Sequence, residues 1–242
     1  MELTDKVALV TGGAVRLGRA IALGLAEEGA DIVITYNSSA GPAEETCADI
    51  EAMGRTSLSL QANFNQAPDM ERLVSEITDH FGHLDILVNS AAIFEPGRWH
   101  DTTEANWDRH FAINLKAPFF LSQAFAKALG EDAHGHIVNI ADWRGVRPGI
   151  DHVAYTLTKS GLIAMTKSLA LALAPRVQVN AIAPGLILPP PGRDDSYLED
   201  KAPSIPLQRP GSAEEIVKAV LYLVRSDFVT GDLVYVTGGE HL

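Results

Sequence analysis

Cysteine is all but missing, with Cys47 the one thiol in 242 residues. That excludes an internal disulfide framework and any cluster of cysteine metal ligands, and it makes a reducing, cytoplasmic setting the simplest expectation. No metal site is expected. Positive charge is also short: 19 lysines and arginines stand against 31 aspartates and glutamates, a net charge of −12. A surface that tracks nucleic-acid phosphates would have to oppose that field, so no nucleic-acid partner is expected. Apolar runs of membrane-spanning length are absent, and the opening MELTDKVALVTGG lacks the basic stretch and cleavable apolar segment of a secretory leader. No membrane partner is expected either, and a soluble protein is the reading.

The residues that are present, 46% apolar and 21% charged, can bury a large core without staples and read as a single domain over residues 1–242. Short apolar strands alternate with amphipathic helices from end to end. Lys6 to Thr11 is a strand, followed at once by Gly12, Gly13 and Gly18 and then by a helical stretch from Arg19 to Glu28. Strand, glycine turn and helix in that order form a dinucleotide-binding pattern, because glycines let backbone N–H groups approach a pyrophosphate at a helix N-terminus. An ordinary turn that uses glycine for its shape is the alternative. Ala30 to Tyr36 is a second buried strand. A site for NAD places an acid about 20 residues beyond the glycines to bind the ribose 2′-hydroxyl. Here Asn37, Ser38 and Ser39 follow Tyr36, and no carboxylate is present to repel a 2′-phosphate. NADPH is favoured, with Arg16 the nearest cation for its phosphates.

Further strands are expected at Leu58 to Ala62, ending at Asn63 where an adenine edge would fall, and at Leu84 to Val88, which runs into Asn89. Helices are expected over Pro42 to Met53, Asp69 to Phe81 and, as one long mostly helical stretch, Thr103 to Leu129, where Asn114 is a polar residue in an apolar turn. Val177 to Ile182 forms a strand ending in Pro184 and Gly185, and the acid- and proline-rich 186–206 segment reads as a substrate-cover loop. Ser212 and Glu215 have capping-box spacing ahead of a helix over Ala213 to Val224, and Leu233 to Val236 is a seventh strand. The alternation implies an α/β fold, a single doubly wound, parallel, seven-stranded Rossmann-like sheet with helices on both faces.

Chemistry concentrates between His136 and Leu162. Ile137, Val138 and Ile140 make a strand that gives way to loop at Asp142, and a helix begins at Val153 with Tyr155 and Lys159 one turn apart. A neighbouring ammonium is expected to lower the pKa of Tyr155 and make its hydroxyl a proton donor. Tyr-x-x-x-Lys on its own more often marks a solvated helix face, and the alternative for Asp142 is a loop-capping acid.

Taken together, these residues resemble the short-chain dehydrogenase/reductase family over nearly the whole chain. TGGAVRLG, containing Gly12, Arg16, Leu17 and Gly18, resembles its glycine motif, Asn89 its post-strand asparagine, Asn114 its helix asparagine, Tyr155 and Lys159 its catalytic pair, and Pro184-Gly185 its nicotinamide-side turn. Most members have Gly at Arg16 and Ser at Asp142. Arg and Asp at those positions, with Phe94, resemble pteridine reductases and bacterial dihydromonapterin reductases, although Ala92, Ser38 and Asn63 depart from their pattern. The resemblance implies an NADPH-dependent reductase of a C=N or C=O bond. Tyr155 would give the proton and Lys159 bind the ribose, Asn114 hold a relay water, Asp142 assist Tyr155, Arg16 serve phosphates and perhaps a pterin ring, and Phe94 stack on that ring. Reduction of ketones or 3-oxoacyl thioesters is the alternative, and a non-catalytic NADP(H)-sensing protein is the alternative of another class. The long stretches from Thr103 to Leu129 and Val153 to Ala174 carry more apolar surface than one sheet face needs. An oligomer is therefore expected in which Ala164, Ala170 and Ala172 would permit close helix contact, and the resemblance implies a homotetramer.

Overall fold

Seven short apolar strands and eight α-helices are laid out in the computed structural model, which describes residues 1–66, 70–190 and 192–242. The strands are β1 (Val7–Val10), β2 (Asp31–Tyr36), β3 (Ser57–Gln61), β4 (Ile86–Asn89), β5 (Gly135–Ile140), β6 (Val177–Pro184) and β7 (Leu233–Val236). They lie in the order β3-β2-β1-β4-β5-β6-β7, and every pair is parallel. The helices are α1 (Arg16–Glu27), α2 (Ala40–Ala52), α3 (Met70–Phe81), α4 (Glu104–Phe111), α5 (Ala117–Ala128), α6 (Val153–Leu173), α7 (Ser196–Lys201) and α8 (Ala213–Arg225).

Successive strand side chains point to opposite faces, and both faces are covered, so the central strands are continuously apolar rather than alternating. Ala8, Val10, Ile32 and Ile34 pack with Ile21 and Leu25 of α1, Ile50 of α2 and Ile216, Val220 and Leu223 of α8. Val7, Leu9, Val33 and Leu87 pack on the other face with Leu73 and Ile77 of α3 and Leu121 and Phe125 of α5. From β1 the chain steps outward to β2 and β3, then returns to β4 on the far side of β1. That reversal opens a crevice at the carboxyl ends of β1 and β4, where a parallel sheet places its ligands.

Four details differ from expectation. The stretch from Thr103 to Leu129 is not one helix: Thr103 caps α4, accepting from Asn106 N at 3.1 Å, and a π-turn over Ala112–Lys116 separates α4 from α5. Pro118 supplies the reason, since it has no N–H for the Asn114 carbonyl and its ring crowds that carbonyl; the wider turn accommodates both. The 186–206 segment is partly ordered into α7 and a 3-10 turn, Ala202–Ser204; Pro191 lies outside the described residues, as does Asp69, the expected start of α3. Ser212 sits at the N-cap of α8 in extended conformation but its hydroxyl caps nothing, and Glu215 instead accepts from Arg209 Nη2 at 3.4 Å. Ala170 is core, 4% exposed in the cluster beneath α6, and is not available at a helix surface. No helix among the described residues is long and apolar enough to cross a membrane.

His136 on β5 is 4% exposed, and burial pushes its pKa down to about 4. A depressed histidine favours the neutral form in the fold. Its stabilising contribution is therefore complete above the unfolded-chain value near 6.5 and is lost as pH falls through about 4. Urea unfolding at pH 7 and pH 4.5 should show a loss to which this group contributes up to ~3 kcal/mol. His136→Gln should lose distinctly less over the same interval, and an equal loss in both proteins would assign the effect elsewhere.

Candidate active site

The crevice is a cleft of about 430 Å³ lined from the glycine turn, the ends of β2 to β6 and the start of α6. Two glycines permit its shape. Gly12 has φ +67°, and a Cβ on Gly18 would stand 2.2 Å from the Gly12 carbonyl oxygen, so α1 can pack on the turn only without a side chain there. Thr35 holds the turn, accepting from Gly12 N through its hydroxyl at 3.3 Å and from Gly13 N through its carbonyl at 3.1 Å. Val15 at the N-cap of α1 offers no side-chain acceptor, so the first N–H groups of the helix are left for a ligand. Across the cleft the Thr11 hydroxyl accepts from Ser90 N at 2.9 Å and Ala91 N at 3.0 Å, tying the loop after β4 to the end of β1.

The strand β5 ends at Ile140, and Asp142 follows in extended conformation with Oδ1 accepting from Arg144 N at 2.8 Å. Tyr155, on the first turn of α6, donates its hydroxyl to Asp142 Oδ2 at 2.7 Å. Lys159, one turn further on, donates to the Ile140 carbonyl at 2.6 Å and holds its ammonium 5.6 Å from the Tyr155 ring centroid. Tyr155 and Lys159 are buried, and Asp142 is half-buried at the wall of the cleft. Burial raises the pKa of Asp142, against the hydrogen bonds from Arg144 and Tyr155 and the charge of Lys159. Burial also lowers Lys159 to about 8, with Asp142 opposing. Tyr155 is pushed well above the ordinary phenol range, first by burial and then by the Asp142 charge and hydrogen bond. The expectation that Lys159 lowers the phenol is thus overturned: Asp142 holds the phenolic hydroxyl directly and its effect has the opposite sign, while the ammonium is turned to the Ile140 carbonyl.

Of the residues singled out in the sequence, the cleft brings together Gly12, Arg16, Leu17, Gly18, Asn37, Ser38, Ser39, Asn63, Asp142, Tyr155, Lys159, Pro184 and Gly185. Three do not line it. Asn89 is 3% exposed and donates to Asn139 Oδ1 at 2.8 Å, bracing β4 against β5, because strand alternation turns its side chain into the sheet rather than the crevice. Asn114 is aimed by the π-turn at the loop after β4, where Oδ1 accepts from Ile93 N at 2.9 Å and Nδ2 donates to Ile93 O at 3.0 Å and Thr158 Oγ1 at 3.3 Å. Its amide is committed to protein groups, so the side chain braces the loop after β4. Phe94 stacks on His152, with ring centroids 4.0 Å apart and planes within 1°, and meets Tyr155 edge-on at 4.7 Å. A flat ligand has at most its other face. Arg16, at φ +54°, donates to the Pro189 carbonyl at 2.5 Å and so ties the glycine turn to the 186–206 segment.

Sequence reasoning missed Thr11, Thr35 and His152. Thr11 directly precedes Gly12, and Thr35 is a polar residue in an apolar run near the end of the second strand, signals that were legible. His152 precedes Tyr155 by three residues in left-handed conformation, φ 57°, and no sequence period marks it.

A family model described as Enoyl-(Acyl carrier protein) reductase matches residues 13–241. The chain is 35% identical to the 3-oxoacyl-[acyl-carrier-protein] reductase FabG of Staphylococcus aureus over the whole of both chains. It is also 35% identical to the (2S)-[(R)-hydroxy(phenyl)methyl]succinyl-CoA dehydrogenase subunit BbsD of Thauera aromatica, over 100% of this chain and 99% of that one. Among solved structures, FolM alternative dihydrofolate reductase 1 from Brucella canis, complexed with NADP, superimposes with a TM-score of 0.92 at 37% identity, over 100% of this chain and 96% of that one.

Removing the Asp142 charge should ease ionisation of the phenol. In Asp142→Asn the Tyr155 pKa should fall, because a neutral amide does not repel phenolate and its NH2 group can donate to it. The phenolate absorbance of Asp142→Asn minus that of the Asp142→Asn/Tyr155→Phe double variant should titrate at lower pH than wild type minus Tyr155→Phe. Coincident curves would show that Asp142 does not govern Tyr155.

Proposed function

The chain belongs to the short-chain dehydrogenase/reductase family, and from that premise we propose that it is an NADPH-dependent reductase whose substrate is a pterin. The observation that carries the substrate class is the 2.7 Å hydrogen bond from Tyr155 to Asp142, where most of the family has a serine. A half-buried carboxyl at that place can exchange protons with Tyr155 and form a charge-assisted bond to an amidine-like ring, neither of which a serine does well. The similarity to an alternative dihydrofolate reductase crystallised with NADP supports the reading.

The residues at the glycine turn suit the cofactor: α1 offers uncapped N–H donors, and Asn37, Ser38 and Ser39 present hydrogen-bonding groups without a negative charge. Arg16 has donors beyond the one held by Pro189 for the phosphates. When bound, the nicotinamide supplies hydride to the carbon of the C=N or C=O bond. Tyr155 passes its hydroxyl proton to the nitrogen or oxygen. For that the hydroxyl must be released from its bond to the Asp142 carboxylate, and protonation of Asp142 does so: the carboxylic acid then donates to the Tyr155 oxygen and leaves the phenol O–H for the substrate. Burial, by raising Asp142, favours that state. Lys159 binds the nicotinamide ribose and holds the end of β5 through Ile140. Asn114 positions the Ile93 loop, and the 186–206 segment covers the substrate. Reduction of a 3-oxoacyl thioester is the second reading, favoured by the FabG similarity. A sensor without turnover accounts for none of the buried proton-transfer geometry.

An NADPH-oxidation assay on dihydropterins and on small diketones tests the assignment. Wild type should reduce the pterins, and Tyr155→Phe should lower kcat by about 10²–10⁴. Asp142→Ser should depress pterin reduction by roughly tenfold to a hundredfold in kcat/KM while sparing the diketone. Equal losses on both substrate classes, or no pterin turnover in wild type, would hand the assignment to the carbonyl or thioester reductase.

The assembly we propose is a homotetramer. Phe119 and Phe120 stand 38% and 43% exposed on α5 beside Leu115, Gly161 and Ala164, an apolar groove along α5 and α6 that helices of a second copy would fill. Light scattering at micromolar concentration should give four chains per particle, and Phe120→Glu should reduce that number; a stable wild-type monomer would refute it.

A further inference from the structure

One cation beside the proposed catalytic pair has no task in that chemistry. Lys159 is committed to the Ile140 carbonyl and Arg16 to the Pro189 carbonyl. Arg144 stands two residues beyond Asp142 in the 3-10 turn Trp143–Gly145, and only its backbone N–H is used, by Asp142. Its guanidinium is half-buried, 5.7 Å from the Trp143 ring centroid, and among the described residues it meets no acceptor at hydrogen-bond or ion-pair distance. Arg19, Arg55, Arg109, Arg209 and Arg225 each pair with a carboxylate. Space for the group is made by Gly149, where a Cβ would stand 3.2 Å from Arg144 Nη1.

The charge of Arg144 is felt at Asp142, Tyr155, His152 and Glu240, from β5, α6 and the segment after β7 alike. Arg144 does not itself line the cleft, and its charge reaches the proposed proton-transfer pair from the flanking turn after β5. A guanidinium that has given up part of its hydration and gained no carboxylate is an incomplete interaction, and a planar anion accepting two N–H bonds completes it. The protein carries 31 acidic residues, and none of the described ones pairs with this arginine.

We infer that Arg144 binds an anionic substituent, a carboxylate or phosphate, carried by the substrate on the side away from the reacting bond. With the pterin reading, on which the choice of ligand rests, the substrate is a pterin bearing an acidic tail, as dihydrofolate does, rather than a small neutral pterin. A thioester would offer phosphate to the same guanidinium.

The test compares kcat/KM for dihydrofolate and for dihydrobiopterin, which lacks the acidic tail, in wild type, Arg144→Ala and Arg144→Lys at saturating NADPH. Their ratio cancels any effect of the charge on Tyr155. Arg144→Ala should lower the ratio about tenfold or more, mainly through the KM for dihydrofolate, and Arg144→Lys should restore part of it. Added salt should lower the wild-type ratio and leave the alanine variant's unmoved. A ratio indifferent to the substitution overturns the inference. If wild type reduces neither pterin but does reduce acetoacetyl-CoA, the pterin reading fails alone. Arg144 is then judged on acetoacetyl-CoA against acetoacetyl-N-acetylcysteamine, which has no phosphate. A loss confined to the CoA ester supports the anion site, and an equal loss on both overturns it.

Discussion

A parallel sheet buried on both faces makes every polar side chain along its strands costly unless it finds a partner, and that constraint shapes where this protein can do chemistry. The central positions of β1, β2 and β4 are fully apolar and shut away from water. Polar groups are pushed to the carboxyl ends of the strands, where backbone pairing stops and the strand order reverses beside β1. Thr11, Asn63, Asp142 and Gly185 all fall at or just past strand ends. Of the asparagines that stay inside the sheet, Asn89 and Asn139 bond to each other at 2.8 Å across β4 and β5, and Asn180 of β6 bonds to the backbone at Val229 and Asp232, as a low-dielectric interior demands.

Within that frame, the Tyr155–Asp142 contact differs in kind from a phenol beside a cation. A cation stabilises phenolate, whereas a carboxylate stabilises the phenol and withholds its proton. The geometry places the carboxylate at 2.7 Å from the hydroxyl and sends the ammonium to a strand carbonyl instead. Donor strength then depends on the protonation state of a pair and not on the acidity of one residue. Burial shifts Asp142 toward the state in which the pair can give a proton away.

Much of the fold was legible in the sequence because the signals were local and repeated. Continuous apolar runs marked strands covered on both faces, and glycines directly after the first of them marked the ligand end. The Tyr155 and Lys159 spacing and the strand ending before Asp142 placed the core of the site. What stayed hidden depended on contacts between distant segments. The stacking of Phe94 on His152 joins loops 58 residues apart in sequence. The bond from Arg16 to Pro189 spans 173 residues. The direction of the Tyr155 pKa shift turned on which of two flanking charges held the hydroxyl directly, a matter of ångströms. The break in the helix after α4 was within reach, since Pro118 forbids a regular turn, but the π-turn that resolves it is chosen by tertiary packing.

That π-turn is equivalent to one residue inserted into a regular helix, so it acts as a phase shifter between α4 and α5. Each α-helical residue turns the chain by about 100° and advances it about 1.5 Å. Without the extra residue, α5 would be rotated by that amount relative to α4. Phe125, now wedged over β5 against the Gly135 position, and the outward Phe119–Phe120 pair would leave their present faces together. The Asn114 amide would swing off the Ile93 loop in the same movement. A single-residue change in length between Ala112 and Lys116 is therefore coupled at once to the cleft, the core and the outer surface, whereas a change of side chain there touches only one of them.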